Sequence, residues 1–264
     1  MPTARLLGLL AAAMGLATVA PSAALAAVSE RATLHASFSP DRLGASTTIS
    51  FSLHLSTSEG TAPPPLTSMV LRMPAGIGYA TTELGLALCH PASLAADGLA
   101  GCPPDSRLGF GSALVEVPFG SGAGREVPEI QLLAAPSTTG NTAVLFYAAG
   151  LFPITAELTF LGEVLPDTGR FGSQLAVNVP LVSSVPGGAD VSIVQVTATI
   201  GPRRLTYYKR VHGRLVPFTP RGVAVPVRCP RGGFPFAAQF TFQDATQTSA
   251  ETTVPCPPPR RSGK

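Results

Sequence analysis

Apolar and polar residues alternate at every second position in several segments, and this pattern constrains the fold more than any other feature of the chain. In TISFSLHLS (48–56), Ile, Phe or Leu occupies every second position, and Ser or His occupies most of the positions between them. A period of two residues is typical of a β-strand with one buried face. Similar patterns occur at 32–38, 129–135, 142–150, 156–162, 191–200 and 236–244. The chain is therefore predicted to be rich in β-strands.

Clusters of turn-forming residues separate these segments, at 62–65, 120–124, 137–141 and 186–188. The glycine-rich cluster 120–124 is predicted to be a flexible hairpin loop. Short strands with turn signals about every 8 to 12 residues are typical of all-β domains. We predict a single antiparallel β-sandwich over residues 27–257, immunoglobulin-like or jelly-roll-like, with about ten strands. One short helix is expected near 91–97, because Pro91 lies near its start and Gly98 follows its end.

The N-terminal segment 1–26 has the features of a secretory signal peptide. Arg5 precedes an uncharged apolar stretch from Leu6 to Val19, and the small-x-small sequence Ala24-Leu25-Ala26 is typical of a cleavage site. A membrane anchor is the alternative, but Pro21 interrupts the stretch, which is short for a span of about 20 residues. We therefore expect a secreted, extracellular or cell-envelope protein without a membrane span in the mature chain. The Pro- and Arg-rich residues 258–264 are expected to form a disordered tail.

The segment Leu165–Gly169 (LPDTG) matches the sorting signal of wall-anchored proteins, but its position argues against that role. A sorting signal is followed directly by an apolar segment and a basic tail near the C-terminus, whereas most of a hundred residues with strand-like patterns follow here. Pro-Asp-Thr-Gly is also an ordinary turn sequence. We interpret the segment as a turn.

Four cysteines follow the predicted signal peptide: Cys89, Cys102, Cys229 and Cys256. An even number in an exported chain favours disulfides, and of the three possible connectivities we favour Cys89–Cys102 and Cys229–Cys256 as structural bonds. The first would join the ends of the short helical excursion, and the second would clasp the last hairpin. Zinc binding is the alternative, but no pair has the C-x2-C spacing.

The cysteine-containing segments also carry a family resemblance. MPAGIGYATTELGLALC (73–89), CPPDSRLGFGSALVEVP (102–118) and CPRGGFPFAAQFTFQD (229–244), closed by Cys256-Pro257, occur in this order. The chain resembles a group of secreted β-rich surface proteins of high-GC actinobacteria, with the pattern LPAG…C…CP.S.iG followed by CP.GGf…F.F…CP. The resemblance covers most of 66–257 and implies an envelope or extracellular setting and a disulfide-clasped β fold. It implies no particular activity, because the group has none established.

We find no complete motif for catalysis, or for binding a cofactor or a metal, in the sequence. The nucleophile elbow G-x-S-x-G is absent, and GSGAGR (120–125) does not match a dinucleotide fingerprint. His35 and His54 could lie on neighbouring strands and bind a metal or act as a base, but we interpret them as surface histidines. We therefore expect no catalytic residues, no cofactor, no metal and no nucleic-acid partner.

The expected function is that of a non-enzymatic structural or binding module, with an anionic cell-wall polymer or another surface protein as partner. The alternative is an extracellular hydrolase, acting on glycans or esters, on a jelly-roll scaffold. A glycosidase would need two acids across a cleft, and acidic residues are scattered through the sequence. The chain has no Trp and only 4 Tyr, which argues against the aromatic platforms used by many carbohydrate-binding proteins.

Charge is distributed unevenly along the chain. Residues 27–200 contain 6 arginines and 13 acidic residues, whereas 201–243, the basic segment, contains 8 basic residues and no acidic one. These cations either neutralise acidic strands of the same fold or bind a polyanion.

Within the basic segment, RRLTYYKRVHGRLVPF (203–218) is predicted to form a hairpin with its turn at His212-Gly213. Strand alternation places Arg204, Thr206, Tyr208 and Arg210 on the solvent face and Leu205, Tyr207, Lys209 and Val211 on the other. Arg214, just after the turn, is expected to join the solvent face. Because guanidinium groups bind phosphate and carboxylate, Arg204, Arg210 and Arg214 are the candidate polyanion contacts.

Overall fold

The computed structural model of the chain describes residues 28–78, 83–152 and 155–257. The expected signal peptide (1–26) and C-terminal tail (258–264) lie outside the described residues. The described part is all-β and antiparallel with a single short α-helix, α1 (Pro91–Asp97), so the predicted fold class is confirmed. Two 3-10 turns, Gly98–Gly101 and Pro104–Ser106, follow the helix.

Fifteen strands are present in the described ranges, more than the ten or so expected. In chain order they are β1 (Glu30–Ser39), β2 (Ser46–Thr57), β3 (Leu66–Pro74), β4 (Arg107–Phe119), β5 (Gly122–Glu126), β6 (Glu129–Ala135), β7 (Thr142–Gly150), β8 (Ala156–Pro166), β9 (Phe171–Asn178), β10 (Ser192–Ile200), β11 (Tyr207–Val211), β12 (Arg214–Phe218), β13 (Val223–Ala224), β14 (Phe234–Phe242) and β15 (Gln247–Val254).

Thirteen of the strands form one sheet, and its main path runs β1-β2-β10-β4-β6-β7-β8-β9-β3-β14-β15. The short strands β5 and β13 pair with β4 and β2, and β11 and β12 form a separate two-stranded ribbon. The two ends of the path, β1 and β15, lie side by side. There the Thr248 hydroxyl donates a hydrogen bond of 3.1 Å to the Glu30 carbonyl. The sheet is therefore nearly closed, and its two halves act as the two layers of the sandwich.

The main core lies inside this folded sheet. Phenylalanines from β1, β2 and β14 meet edge to face, with the ring of Phe236 at 6.0 Å from Phe38 and 5.6 Å from Phe51. Edge-to-face contacts at this distance are favourable for aromatic rings. Side chains of β3 and β9, such as Leu71 and Leu175, face those of β4 and β10 across the interior. The inward-facing residues of each alternating strand thus form the core.

A second, smaller core lies outside the sheet. Leu133 of β6 and Leu145 of β7 are both 0% exposed, although they point away from the main core, because the excursion 83–106 covers them. Leu94 of α1 packs in the same cluster. The disulfide Cys89–Cys102 is buried there and joins the two ends of the helical excursion, as predicted.

The strand registers define two ends of the molecule. At one end of the molecule β2 and β4 begin and β10 ends, since Ile200 pairs there with both Ile49 and Gly109. We call it the arm end, after the hairpin described below that projects from it. The second disulfide, Cys229–Cys256, is formed as predicted and closes the β14–β15 hairpin at the arm end. The opposite end carries the β4–β5 hairpin and the loop 179–191.

Two expectations about turns have different outcomes. The LPDTG segment is confirmed as a turn, since β8 ends at Pro166, β9 begins at Phe171 and Gly169 has a φ of 72°. The segment 120–124, expected to be a flexible loop, is only partly one. Gly122–Glu126 forms β5 and pairs with β4, so the loop is reduced to a tight turn. Glycine-rich composition hid this strand, because it offers no alternation to detect.

Candidate anion-binding groove and arm

The hairpin predicted over 203–218 exists in its part 207–218 and projects from the arm end as the ribbon β11–β12, which we call the arm. Residues 203–206 lie outside the strand, with Arg204 in a turn at a φ of 62°. Its turn is His212-Gly213, with φ values of 48° and 79° that suit a two-residue hairpin turn. Beyond Tyr207, the residues of both strands are exposed except Phe218, which is half-buried. The arm is therefore accessible from both sides.

Tyr207 holds the base of the arm against the rest of the fold. Its side chain is 0% exposed, and its ring meets Phe218 edge to face at 5.9 Å. The Tyr207 hydroxyl donates to the Arg107 carbonyl and accepts a hydrogen bond of 3.0 Å from the Gly85 N–H. Burial raises the pKa of this hydroxyl above its ordinary value. Tyr207 thus connects the arm to the start of β4 and to the helical excursion.

The three predicted polyanion contacts do not share one face. Arg204, Arg210 and Arg214 are all exposed. However, Arg214 pairs with Val211, whereas Arg210 pairs with Leu215. Because directly paired residues point to the same side of a ribbon, Arg214 lies on the opposite face from Arg210. The expectation that Arg214 joins the face of Arg210 is therefore wrong.

Arg204 lies beside a groove of about 580 Å³ on the outer face of the sheet, next to the base of the arm. The groove crosses β10, β4 and β6. Its lining is Arg107, Phe110, Gly111, Ser112, Val127, Glu129, Gln131, Thr197, Thr199, Arg204 and Leu205. The Arg204 guanidinium lies over the ring of Phe110, at 5.5 Å from the centroid. This cation–π contact positions the cation at the groove wall.

Hydroxyl groups and close strand packing form the floor of the groove. The hydroxyls of Ser112 and Thr197 are hydrogen-bonded to each other at 2.9 Å. Beside them, Gly111 lets β4 and β10 approach, because a Cβ there would collide with the Thr197 carbonyl oxygen. A flat polar floor of this kind can hydrogen-bond a ligand that lies along it.

The electrostatic character of the groove is graded from one end to the other. Arg107 and Arg204 lie near the arm end, whereas Glu129 lies at the other end of the groove, opposite Ser112. Glu129 is four residues along β6 from Leu133, the partner of Arg107, which is a separation of about 13 Å along the strand. Anionic groups would therefore bind near the arm, and hydrogen-bond donors would bind near Glu129.

The cations of the basic segment have no close acidic partners in the part of the chain that the structure describes. The three ion pairs found there are Arg72–Asp167, Arg125–Glu116 and Arg170–Glu251. None of them includes a residue of 201–243. Direct neutralisation by acidic strands, the alternative interpretation of this segment, therefore does not occur through ion pairs of described residues.

The two candidate histidines lie on paired strands but not opposite each other. His35 pairs with Ser52, and His54 pairs with Thr33, so the two imidazoles are diagonal neighbours on the exposed outer face of β1 and β2. Within the described ranges, no three His, Cys, Asp or Glu side chains are grouped so as to hold a metal ion. The groove itself contains one carboxylate, Glu129, and no histidine.

Sequence reasoning found Arg204 but missed Arg107, Phe110 and the hydroxyl floor. These residues come from three strands that are distant in the sequence, and only the register of β10 on β4 and of β4 on β6 brings them together. The one available signal was the position of Arg107 directly after the first cysteine pair. Position alone does not indicate a neighbour about a hundred residues away.

Two further findings bear on identity and location. Within the described residues, no helix has both the length and the apolar character that crossing a membrane requires. Comparisons with protein families, with curated protein sequences and with solved structures found no match to this chain.

Proposed function

We propose that the chain is a secreted, non-enzymatic module of the cell envelope or extracellular space that binds an anionic polymer at its arm end. The observation that carries the proposal is the convergence of Arg107 and Arg204 on one hydroxyl-lined groove. Neither guanidinium has an ion-pair partner among the described residues. The two disulfides are compatible with an oxidising compartment outside the cytoplasm.

The shape and chemistry of the groove favour an extended polymer with both anionic and hydroxyl groups. Guanidinium groups bind phosphate and carboxylate through charge-assisted hydrogen bonds. Glu129 and Gln131 can accept hydrogen bonds from the hydroxyls of a ligand farther along the groove. The exposed arm adds Arg210 on one side and Arg214 on the other, so that a polymer leaving the groove can contact either face. Anionic wall polymers have this combination of groups.

The test is the affinity of the mature protein for polyphosphate and for poly-glutamate, measured by calorimetry and by elution from a polyanion column. The triple substitution Arg204→Ala, Arg210→Ala, Arg214→Ala should weaken binding about 3- to 150-fold, from about 0.2–1 kcal/mol for each exposed contact. Binding of the unmodified protein should fall steeply as salt rises, because exposed charges are screened within about 8 Å at physiological ionic strength.

A matched control distinguishes the effect of the groove and arm residues on binding from the effect of net charge. Arg221, Arg228 and Arg231 are also exposed cations of the basic segment, but none lines the groove or lies in the arm. Substituting these three with Ala changes the net charge equally and should weaken binding much less. If the first triple variant elutes with the unmodified protein, the basic segment only balances the acidic strands of its own fold. Turnover of glycans or esters, abolished by a single Glu or His substitution, would instead support the hydrolase.

A further inference from the structure

A second cavity lies inside the sheet at the end opposite the arm. Its volume is about 140 Å³, and every residue that lines it is apolar. Phe146 of β7 and Phe160 of β8 form one wall, with their rings stacked at 5.0 Å, and Ile193 of β10 lies on another wall. Protein interiors are normally filled to the density of organic crystals, so a cavity of this size is unusual in a small core.

This cavity is open to solvent. Leu158, Phe160 and Ile193 line it, yet all three are only half-buried. Leu181, in the loop 179–191 that covers the cavity, is 43% exposed. The loop is closed on itself by a hydrogen bond of 2.8 Å from the Val191 N–H to the Val182 carbonyl. Apolar surface is therefore accessible from outside without unfolding of a strand.

A carboxylate lies beside the apolar cavity. Glu126, at the end of β5, lines an adjoining cavity of about 70 Å³ that shares Val115, Ala148 and Leu158 with the larger one. Glu126 is only 8% exposed. Its pairing with Val115, an inward-facing residue, directs its side chain into the sheet.

The carboxylate of Glu126 has one hydrogen bond and no cation in an ion pair with it among the described residues. Its Oε1 accepts a hydrogen bond of 3.0 Å from the Phe152 N–H. Burying a carboxylate is costly unless it is paired with a cation or fully hydrogen-bonded. The position beside an open apolar cavity suits a ligand that supplies the missing cation.

We infer that the two adjoining cavities bind a small cationic amphiphile, with its apolar part against Ala148, Leu158 and Ile193 and its ammonium group at Glu126. An apolar cavity of about 150 Å³ accepts a benzene-sized molecule, which limits the apolar part to one aromatic ring or about six carbons. This site lies at the opposite end of the sheet from the anion-binding groove, and its ligand has the opposite charge. The inference therefore does not rest on the proposed polymer binding.

The first experiment compares three ring compounds that differ in the polar group, with the mature protein and detection by calorimetry and NMR. Benzylamine should bind, benzyl alcohol should bind about tenfold or more weakly, and benzoate should bind most weakly. This order follows from a carboxylate at the mouth of an apolar site. An equal affinity for all three, or no binding of benzylamine, would overturn the inference without any variant being made.

Two substitutions then test separately how the charge and the cavity contribute to binding. Glu126→Gln keeps an oxygen that can accept from Phe152 and should weaken benzylamine about tenfold while leaving benzyl alcohol unchanged. Its control is Glu59→Gln, which removes an exposed carboxylate in a loop at the same end of the molecule. Ala148→Phe fills the shared wall of both cavities and should abolish binding of both compounds. Its control is Ala149→Phe, one residue along β7 on the outer face.

The outcomes also distinguish this site from the groove. Binding of polyphosphate should be unchanged in Ala148→Phe, because Ala148 does not line the groove. If Glu126→Gln binds benzylamine as tightly as the unmodified protein, or Ala148→Phe still binds it, the amphiphile site is wrong. Polymer binding would remain as measured in either case.

Discussion

At the scale of single residues, Tyr207 has the greatest structural effect on the candidate site. It is fully buried at the base of an arm whose other residues are exposed, apart from the half-buried Phe218. Its hydroxyl bridges the start of β4 and the helical excursion through Arg107 and Gly85. The groove and the arm therefore depend on one side chain for their relative position. The neighbouring Tyr208 is 46% exposed and provides a natural comparison.

Replacement of Tyr207 by Phe should lower the free energy of unfolding by about 1–3 kcal/mol, because the Gly85 N–H and the Arg107 carbonyl lose their partner. Urea denaturation monitored by circular dichroism measures this change. Tyr208→Phe, the control, should change stability by less than about 0.5 kcal/mol. Equal effects of the two substitutions would show that the buried hydroxyl contributes nothing.

The stability of the same two variants should also depend differently on pH. The pKa of Tyr207 is raised in the folded state, so its hydroxyl ionises first in the unfolded chain, above about pH 10. Between the unfolded and the folded pKa the unfolded state has lost a proton that the folded state retains, and stability falls as pH rises. Tyr207→Phe should therefore lose less stability above pH 10 than the unmodified protein or Tyr208→Phe.

Residue-level expectations for the arm were met at its base and failed beyond it. Leu205 and Tyr207 are buried and Arg204 and Arg210 exposed, as predicted. Lys209 and Val211, which strand alternation placed on the other face, are exposed as well, because the arm projects beyond the sheet. The side of Arg214 depends on how β12 pairs with β11 across the two-residue turn, which opposes Arg214 to Val211. The turn at His212-Gly213 was itself predicted, and a two-residue turn fixes this pairing, so the side of Arg214 could have been predicted correctly.

At the scale of elements, each disulfide joins the two ends of one local unit. Cys89–Cys102 joins the ends of the excursion 83–106, whose single helix has seven residues, and Cys229–Cys256 joins the open end of the β14–β15 hairpin. Both pairings were predicted from the sequence, among three possible connectivities, because each joins cysteines at the two ends of one local unit, with separations of 13 and 27 residues.

Substituting both cysteines of a pair with Ser should lower the free energy of unfolding by about 3 kcal/mol for Cys89–Cys102 and by about 3.5 kcal/mol for Cys229–Cys256, from the entropy of loop closure. Denaturation curves of the two double variants, recorded beside the unmodified protein, measure the difference. A change below about 0.5 kcal/mol for either pair would show that packing, rather than the crosslink, holds that segment.

Several strands escaped detection because their burial alternates while their hydrophobicity does not. In β15, the inward-facing positions include Thr248, Ala250 and Thr252, so no apolar period exists although exposure alternates along the strand. In β3 the opposite occurs, since Val70 is apolar and half-buried on the outer face. Hydrophobic patterning identifies strands with one apolar and one polar face, and neither of these two strands has such a pair of faces.

At the scale of the whole molecule, the nearly closed sheet gathers the 8 cations of the basic segment at one end. They lie between the end of β10 and the start of β14, both at the arm end, whereas Glu116, Glu126 and Glu129 lie toward the opposite end. The arm end also carries acidic residues, among them Asp105, whose carboxylate accepts a hydrogen bond of 2.9 Å from the Tyr208 N–H. Fold class and segment charge were accessible to sequence analysis. The groove and the apolar cavity were not, because both depend on the order of strands in the sheet.

The most direct test of the central claim, polymer binding at the arm end, is to map the bound polymer on the protein. Amide chemical shifts of the isotope-labelled chain without residues 1–26 are recorded during titration with polyphosphate at low salt. We predict changes concentrated at Phe110, Ser112, Thr197 and the arm residues 207–218, reversed by added salt. Changes confined to the opposite end, or no changes at saturating polymer, would contradict the account.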